Sequence, residues 1–139
     1  MKYDVDYFIA KYESIPEDRW CTAKFNVGNS SCALGHLGCY WISSIESHAF
    51  ISDEAKILNT LMNDFFNFET CVWGINDGYS GKYQQPTPKH RILAALYDIR
   101  EKELSEANLK AVNKIIRDSV GDSSRIERIP QFEVQFDSE

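Results

Sequence analysis

Cys32, His36 and Cys39 follow one another in the pattern C-x3-H-x2-C, with Cys21 upstream, and sulfur and imidazole nitrogen are donors that tetrahedral zinc accepts. On one helix His36 and Cys39 would share a face. The run lacks the paired C-x2-C knuckle that makes zinc motifs specific. Its neighbours from Ala33 to Ile42 are strongly apolar. These thiols therefore read as small buried hydrophobes, and neither a metal nor another cofactor is expected.

A second chemistry is thiol nucleophilic catalysis. Cys21 would be the nucleophile, His36 (or His48 or His90) the base, and Asn76 or Asp77 the group that orients it. Such chemistry needs a thiolate stabilised by an imidazole, and an imidazole whose tautomer is held by a third group. All three residue types are present, but no flanking signature such as a glycine-rich nucleophile turn accompanies Cys21.

A third arrangement runs from Asn76 to Arg91. Asn76-Asp77-Gly78 has turn chemistry, since Asn and Asp side chains bond nearby backbone and tolerate left-handed conformations. Lys89-His90-Arg91 is the densest basic run in an acidic chain. It falls in the first turn of an expected helix, where cations are disfavoured by the helix dipole. That mismatch points to a small anionic or polar ligand, or an acidic partner, held by Asp77, Lys82, Lys89, His90 and Arg91 near the helix N-terminus. Tyr79 and Tyr83 flank Gly81 in the same polar loop, where no periodicity requires them. The other aromatics, Tyr40, Trp41 and Trp73, could line an interface but read first as core and rim.

Composition narrows the field. A chain of 139 residues suits one domain with one core. A net charge of −6 and a pI near 5.1 argue against electrostatic capture of nucleic acid. The acids are scattered, which fits plain solubility, although an acidic mimic of nucleic acid acting on a basic partner is a further reading. No window is long and apolar enough for a spanning helix, and the N-terminus has acids where a secretory leader would be apolar. With four cysteines read as reduced thiols, the expected compartment is the cytoplasm, without a membrane association.

The elements that must position these groups are those of an α+β fold, with about five helices on a small β-hairpin or sheet. Val5, Phe8, Ile9 and Tyr12 predict an N-terminal helix capped by Asp4 and closed near Pro16. Residues 20 to 33 predict a hairpin around Gly28-Asn29. Gly35 and Gly38, in an otherwise apolar run, predict a close approach by a neighbouring element. Ser52 caps a second helix with Ala55, Leu58, Leu61, Met62 and Phe65 inside. Thr70 to Ile75 reads as a strand, stopped by Asn76-Asp77-Gly78. Thr87-Pro88 starts a helix that buries Ile92, Leu93, Ala95, Leu96 and Ile99. A last helix from Ser105, with Leu109, Val112, Ile115, Ile116 and Val120 as its stripe, is expected to fold back on it and end at Gly121. The globular domain then spans 1–121. The extension 122–139 alternates Phe132, Val134 and Phe136 with polar residues after Pro130, as an edge strand that pairs within the chain or with a partner.

Trp20-Cys21-Thr22, Cys32-Ala33-Leu34-Gly35, Asn76-Asp77 and the run Thr87-Pro88-Lys89-His90-Arg91-Ile92-Leu93-Ala94-Ala95-Leu96 together resemble an uncharacterised family of small bacterial and phage proteins. The likeness covers roughly residues 5 to 102. It implies a compact fold and a phage or mobile-element origin, without an activity. The expected function is a non-enzymatic binding module that engages a host protein or a small anionic ligand through the loop from Asn76 to Arg91. A cysteine-dependent hydrolase or transferase built on Cys21, His36 and Asn76 is the alternative.

Overall fold

The computed structural model describes residues 3–43 and 48–120. Helix α1 spans Val5–Glu13. The Asp4 side chain accepts the N–H of Tyr7 at 2.9 Å, and the spacing of Val5, Phe8, Ile9 and Tyr12 puts all four inside. Helix α2 spans Asp53–Phe66 and buries Ala55, Leu58 and Met62. Its cap, Ser52, accepts the N–H of Ala55 at 3.1 Å and donates to the Leu37 carbonyl at 2.6 Å, so one hydroxyl fixes both the helix start and the chain before it. Tyr12, fully buried, donates to the Ala33 carbonyl at 2.7 Å.

Two small antiparallel sheets accompany these helices. Strands β1 (Asn26–Val27) and β2 (Ser30–Ser31) form a hairpin about Gly28, which supplies a φ of +59°. Strands β3 (Tyr40–Ser43) and β4 (His48–Phe50) pair Tyr40 with Phe50 and Trp41 with Ala49. A 3-10 turn over Gly35–Leu37 leads into β3. The close approach expected at the glycines is real at Gly35: a Cβ there would stand 2.0 Å from the Phe25 carbonyl oxygen.

Three expectations need correction, and with them the count of about five helices becomes four α-helices among the described residues. Residues Val72–Asp77 are helix α3, not part of a strand. Val72, Ile75 and Asn76 all point inward at helical spacing, and burial of that face outweighs the β-propensity of Val and Ile. Asn76-Asp77 accordingly close a helix instead of forming a turn, and Gly78 ends it at a φ of +87°. The hairpin is also narrower than 20–33. Finally, the segments from Thr87 and from Ser105 are one helix, α4, Pro88–Val120. Between Arg100 and Asn108 the chain offers no Gly or Pro, and a mid-helix Ser costs only a few tenths of a kcal/mol.

Contacts divide the chain into a unit Met1–Glu101 and a unit Lys102–Glu139. The first holds the core, to which α1, α2, α3 and the N-terminal half of α4 all contribute. In the second, residues 102–119 are exposed or part-exposed helix. The boundary expected at Gly121 and the edge strand with Phe132, Val134 and Phe136 lie outside the described residues. Among those residues no helix is long and apolar enough to cross a membrane.

Candidate functional site

Asn76 is the hub around which the predicted residues are arranged. It is fully buried at the end of α3. Its Oδ1 accepts the N–H of Ala33 at 3.0 Å, and its Nδ2 donates to the Cys21 carbonyl at 2.9 Å and to Asp77 Oδ1 at 2.8 Å. One amide thereby ties α3 to two separate loops, a use that fits the rule that buried polar groups are paired.

Arg91 completes this hub from the first turn of α4. It is almost entirely buried. Nη2 donates to the Asn76 carbonyl at 2.7 Å, Nε to the Ile75 carbonyl at 3.2 Å, and Nη1 to the Gln85 carbonyl at 2.8 Å. The cation thus sits at the C-terminal end of α3, where the last carbonyls lack intrahelical partners and the dipole favours positive charge. The same residue that is mismatched to the N-terminus of its own helix is matched to the C-terminus of another.

The rest of the basic run is engaged elsewhere. Lys89 Nζ donates to the Glu13 carbonyl at 3.1 Å, and His90 Nδ1 lies 3.0 Å from Glu17 Oε1 and 2.8 Å from the Thr87 hydroxyl. Thr87 also accepts the N–H of His90 at 3.2 Å, as an N-cap does. Tyr83 is buried and donates to Asp98 at 2.6 Å; burial and that carboxylate push its pKa well up. Lys82 Nζ is 3.7 Å from the same carboxylate. Lys89, His90 and Arg91 therefore face three different sets of partners.

Asp77 and Tyr79 have a different setting, a cleft of about 600 Å³. Phe25, Cys32, Leu34 and Ile51 contribute its apolar lining, with Trp41 from β3 and Trp73 from α3. Trp41, Trp73 and Tyr79 are 48%, 54% and 75% exposed, respectively. Trp73 and Tyr79 meet edge to face at 6.0 Å, and Phe25 and Trp41 lie 5.1 Å apart. Lys24 and Ala23 also border the cleft. Ala23 donates its N–H to Asp77 Oδ2 at 3.1 Å. Its φ of +68° is a conformation that costs an L-residue roughly 1–2 kcal/mol. Among the cleft residues beyond Asp77 and Tyr79, Trp41 and Trp73 are legible in the sequence only as aromatics that could line an interface, and the others escape it because separate elements and loops deliver them.

The thiol constellation is arranged as follows. The Cys21 thiol donates to the Lys24 carbonyl at 3.4 Å, within its own loop. Burial, and then the Asp77 carboxylate, push its pKa up, the reverse of an activated nucleophile. Asn76 bonds the Cys21 backbone and leaves its sulfur alone. The His36 ring packs against Trp20 at 4.9 Å, and its Nε2 is buried without a hydrogen-bond partner. Burial pulls the His36 pKa down, partly opposed by the backbone of Arg19 and Ser31. His36 borders a second hollow, with Ser14, Arg19 and Asn29, separate from the aromatic cleft. Cys32 and Cys39 are buried, and burial raises the Cys32 pKa. Among the described residues no group of three or more His, Cys, Asp or Glu stands where it could hold a metal ion. No protein-family model, curated protein or solved structure matches the chain.

Proposed function

We propose that this chain is a non-enzymatic binding module whose aromatic cleft takes an apolar side chain of a partner polypeptide. The observation that carries this reading is the exposure of Trp41, Trp73 and Tyr79 around one apolar hollow. Single exposed aromatics are ordinary, but several gathered around one apolar hollow mark an interaction surface, and Tyr and Trp are the side chains that anchor protein interfaces.

On this reading the contact falls at the start of the segment from Asn76 to Arg91. The engagement of Arg91 by three carbonyls, of Lys89 by Glu13 and of His90 by Glu17 favours a polypeptide over a small anion. The raised pKa of Cys21 weighs against the cysteine-dependent alternative. An acidic mimic of nucleic acid would bind its basic partner in a way that collapses with salt, whereas apolar anchoring would persist. A phage or mobile-element origin is proposed on the likeness in sequence pattern alone, and the cytoplasm on the reading of the cysteines as reduced thiols.

The test is a selection from a random peptide display library against the whole protein, run in parallel on Trp73→Ser and Tyr79→Ser variants. Enrichment of peptides with an aromatic or aliphatic anchor, lost on both variants, is the expected result. An absence of enriched peptides, or enrichment indifferent to the variants, contradicts the reading.

A further inference from the structure

Cys21 and Cys32 stand opposite each other in a short parallel pairing. Trp20 bridges to Ser31, and the Cys21 N–H donates to the Ser31 carbonyl at 3.1 Å. One residue further on, this register sets Cys21 against Cys32. In a parallel ladder the next bond would run from the Ala33 N–H to the Cys21 carbonyl. The Asn76 amide stands in its place, accepting from Ala33 at 3.0 Å and donating to the Cys21 carbonyl at 2.9 Å. The inserted amide widens the pair beyond the ~4.8 Å of a plain ladder, and disulfides bridge Cα separations of up to ~6.8 Å.

The two side chains also share their surroundings. Opposite residues of a parallel pair project to the same side. Each thiol feels the Asp77 carboxylate, and Cys32 feels Cys21 as well. Neither sulfur is strongly held: Cys21 Sγ donates to the Lys24 carbonyl at 3.4 Å, and Cys32 Sγ accepts the Gly35 N–H at 3.5 Å. Burial, ahead of these charges, raises both pKa values, so the reduced pair draws little stability from a thiolate. A stabilised thiolate is what makes a dithiol resist oxidation.

We propose that Cys21 and Cys32 are a dithiol that closes to an intramolecular disulfide under oxidising conditions. The oxidant is a low-molecular-weight disulfide. Cys21, part-buried where Cys32 is buried, loses its proton to solvent and attacks one sulfur of that disulfide, forming a mixed disulfide as the first small thiolate leaves. Cys32, deprotonated in turn, attacks Cys21 Sγ and expels the second small thiolate. The two leaving groups take up the two protons, so the cysteines lose two electrons and the small disulfide becomes two thiols. The new bond closes the loop Thr22–Ser31 at its base. Ala23, Lys24 and Phe25 of that loop border the aromatic cleft with Cys32 itself, so oxidation fastens one wall of the cleft. The disulfide does not depend on the function proposed for the cleft.

The test is to refold the full chain from urea in buffers of graded reduced-to-oxidised glutathione ratio, quench with acid, alkylate the remaining thiols and map the peptides. The expected product joins Cys21 to Cys32 and leaves Cys39 and Cys71 alkylated. Its equilibrium constant should exceed that of the same chain held in urea by at least about a hundredfold, because the fold holds the two thiols together. Two variants, treated as folded protein, test the order of attack. Cys32→Ser should trap Cys21 as its mixed disulfide with glutathione, while Cys21→Ser should keep Cys32 as a free thiol. No Cys21–Cys32 link at any ratio, a link to Cys39 or Cys71 in its place, or a link no stronger in the folded chain than in urea overturns the proposal. A mixed disulfide on Cys32 in Cys21→Ser, with none on Cys21 in Cys32→Ser, overturns the order of attack.

Discussion

The Asp77 carboxylate accepts the N–H of Ala23 at 3.1 Å and holds that residue at a φ of +68°. Cleft shape and backbone strain are thus linked, because Ala23 and Asp77 both border the hollow. Left-handed alanine costs roughly 1–2 kcal/mol, while glycine there costs more entropy on folding by about 0.4–1 kcal/mol. Ala23→Gly is therefore expected to leave stability unchanged or raise it by up to about 1.6 kcal/mol. Asp77→Ala, which removes the tether and a partner of Asn76, is expected to lower it by about 1–2 kcal/mol. Urea midpoints measure both. A clear loss of stability in Ala23→Gly would show that the left-handed backbone is not the strained element.

Truncation at the hub should cost more. Asn76→Ala leaves the buried Ala33 N–H and the Cys21 carbonyl without their partner, and each such loss costs ~1–3 kcal/mol. Arg91→Met strips donors from the Ile75, Asn76 and Gln85 carbonyls. Each variant is expected to lose about 2–4 kcal/mol, against ~5–15 kcal/mol for a whole domain. A loss under about 1 kcal/mol at either position would mean that the hub is a contact without consequence.

The four free cysteines should react slowly. Burial raises the pKa of Cys21, with Asp77 adding to it, and burial raises that of Cys32 as well, so little thiolate is present near neutrality. Mass spectrometry of iodoacetamide-treated native protein at pH 7 is expected to show no rapidly alkylated site. A single fast thiol at Cys21 would revive the cysteine-dependent reading.

His36 gives a pH dependence with a defined sign. Its folded pKa lies below the unfolded value near 6.5, because burial disfavours the imidazolium. The unfolded chain then binds more protons, so this contribution is fully present above about pH 6.5 and declines as pH falls through that value toward the folded pKa. Urea midpoints at pH 7.5 and 5.5 should differ by less in His36→Phe, which keeps a ring against Trp20, than in the parent. An equal or larger difference in the variant would assign the acid sensitivity elsewhere.

Helix α1, the start of α2 and the start of α4 are legible in the sequence because cap residues and i, i+3, i+4 apolar spacing agree at each. The close approach at Gly35 is legible as well, since a glycine in an apolar run has few other uses. α3 is not: six residues give too little length to separate helix from strand, and Val72, Trp73 and Ile75 lean toward strand on propensity. The union of two expected helices into α4 is missed because Ser105 serves equally as a cap and as an interior residue. At the candidate site, Asp77 stands out in the sequence through the Asn-Asp-Gly cluster, which closes α3, and Tyr79 through its place in a polar loop. The role of Arg91 is hidden because its partners are carbonyls of another helix, which no spacing rule connects to Lys89-His90-Arg91. Trp41, Phe25 and Ala23 join the cleft only through the tertiary fold.

The most direct measurement of the central claim is calorimetric titration of a display-selected peptide into the parent protein and into Trp73→Ser and Tyr79→Ser. Both side chains are more than half exposed, so either change should move stability by less than ~0.5 kcal/mol. Binding through the aromatic cleft predicts at least about a tenfold loss of affinity in each variant, near 1.4 kcal/mol, with little dependence on salt. Equal affinity in all three proteins would contradict it.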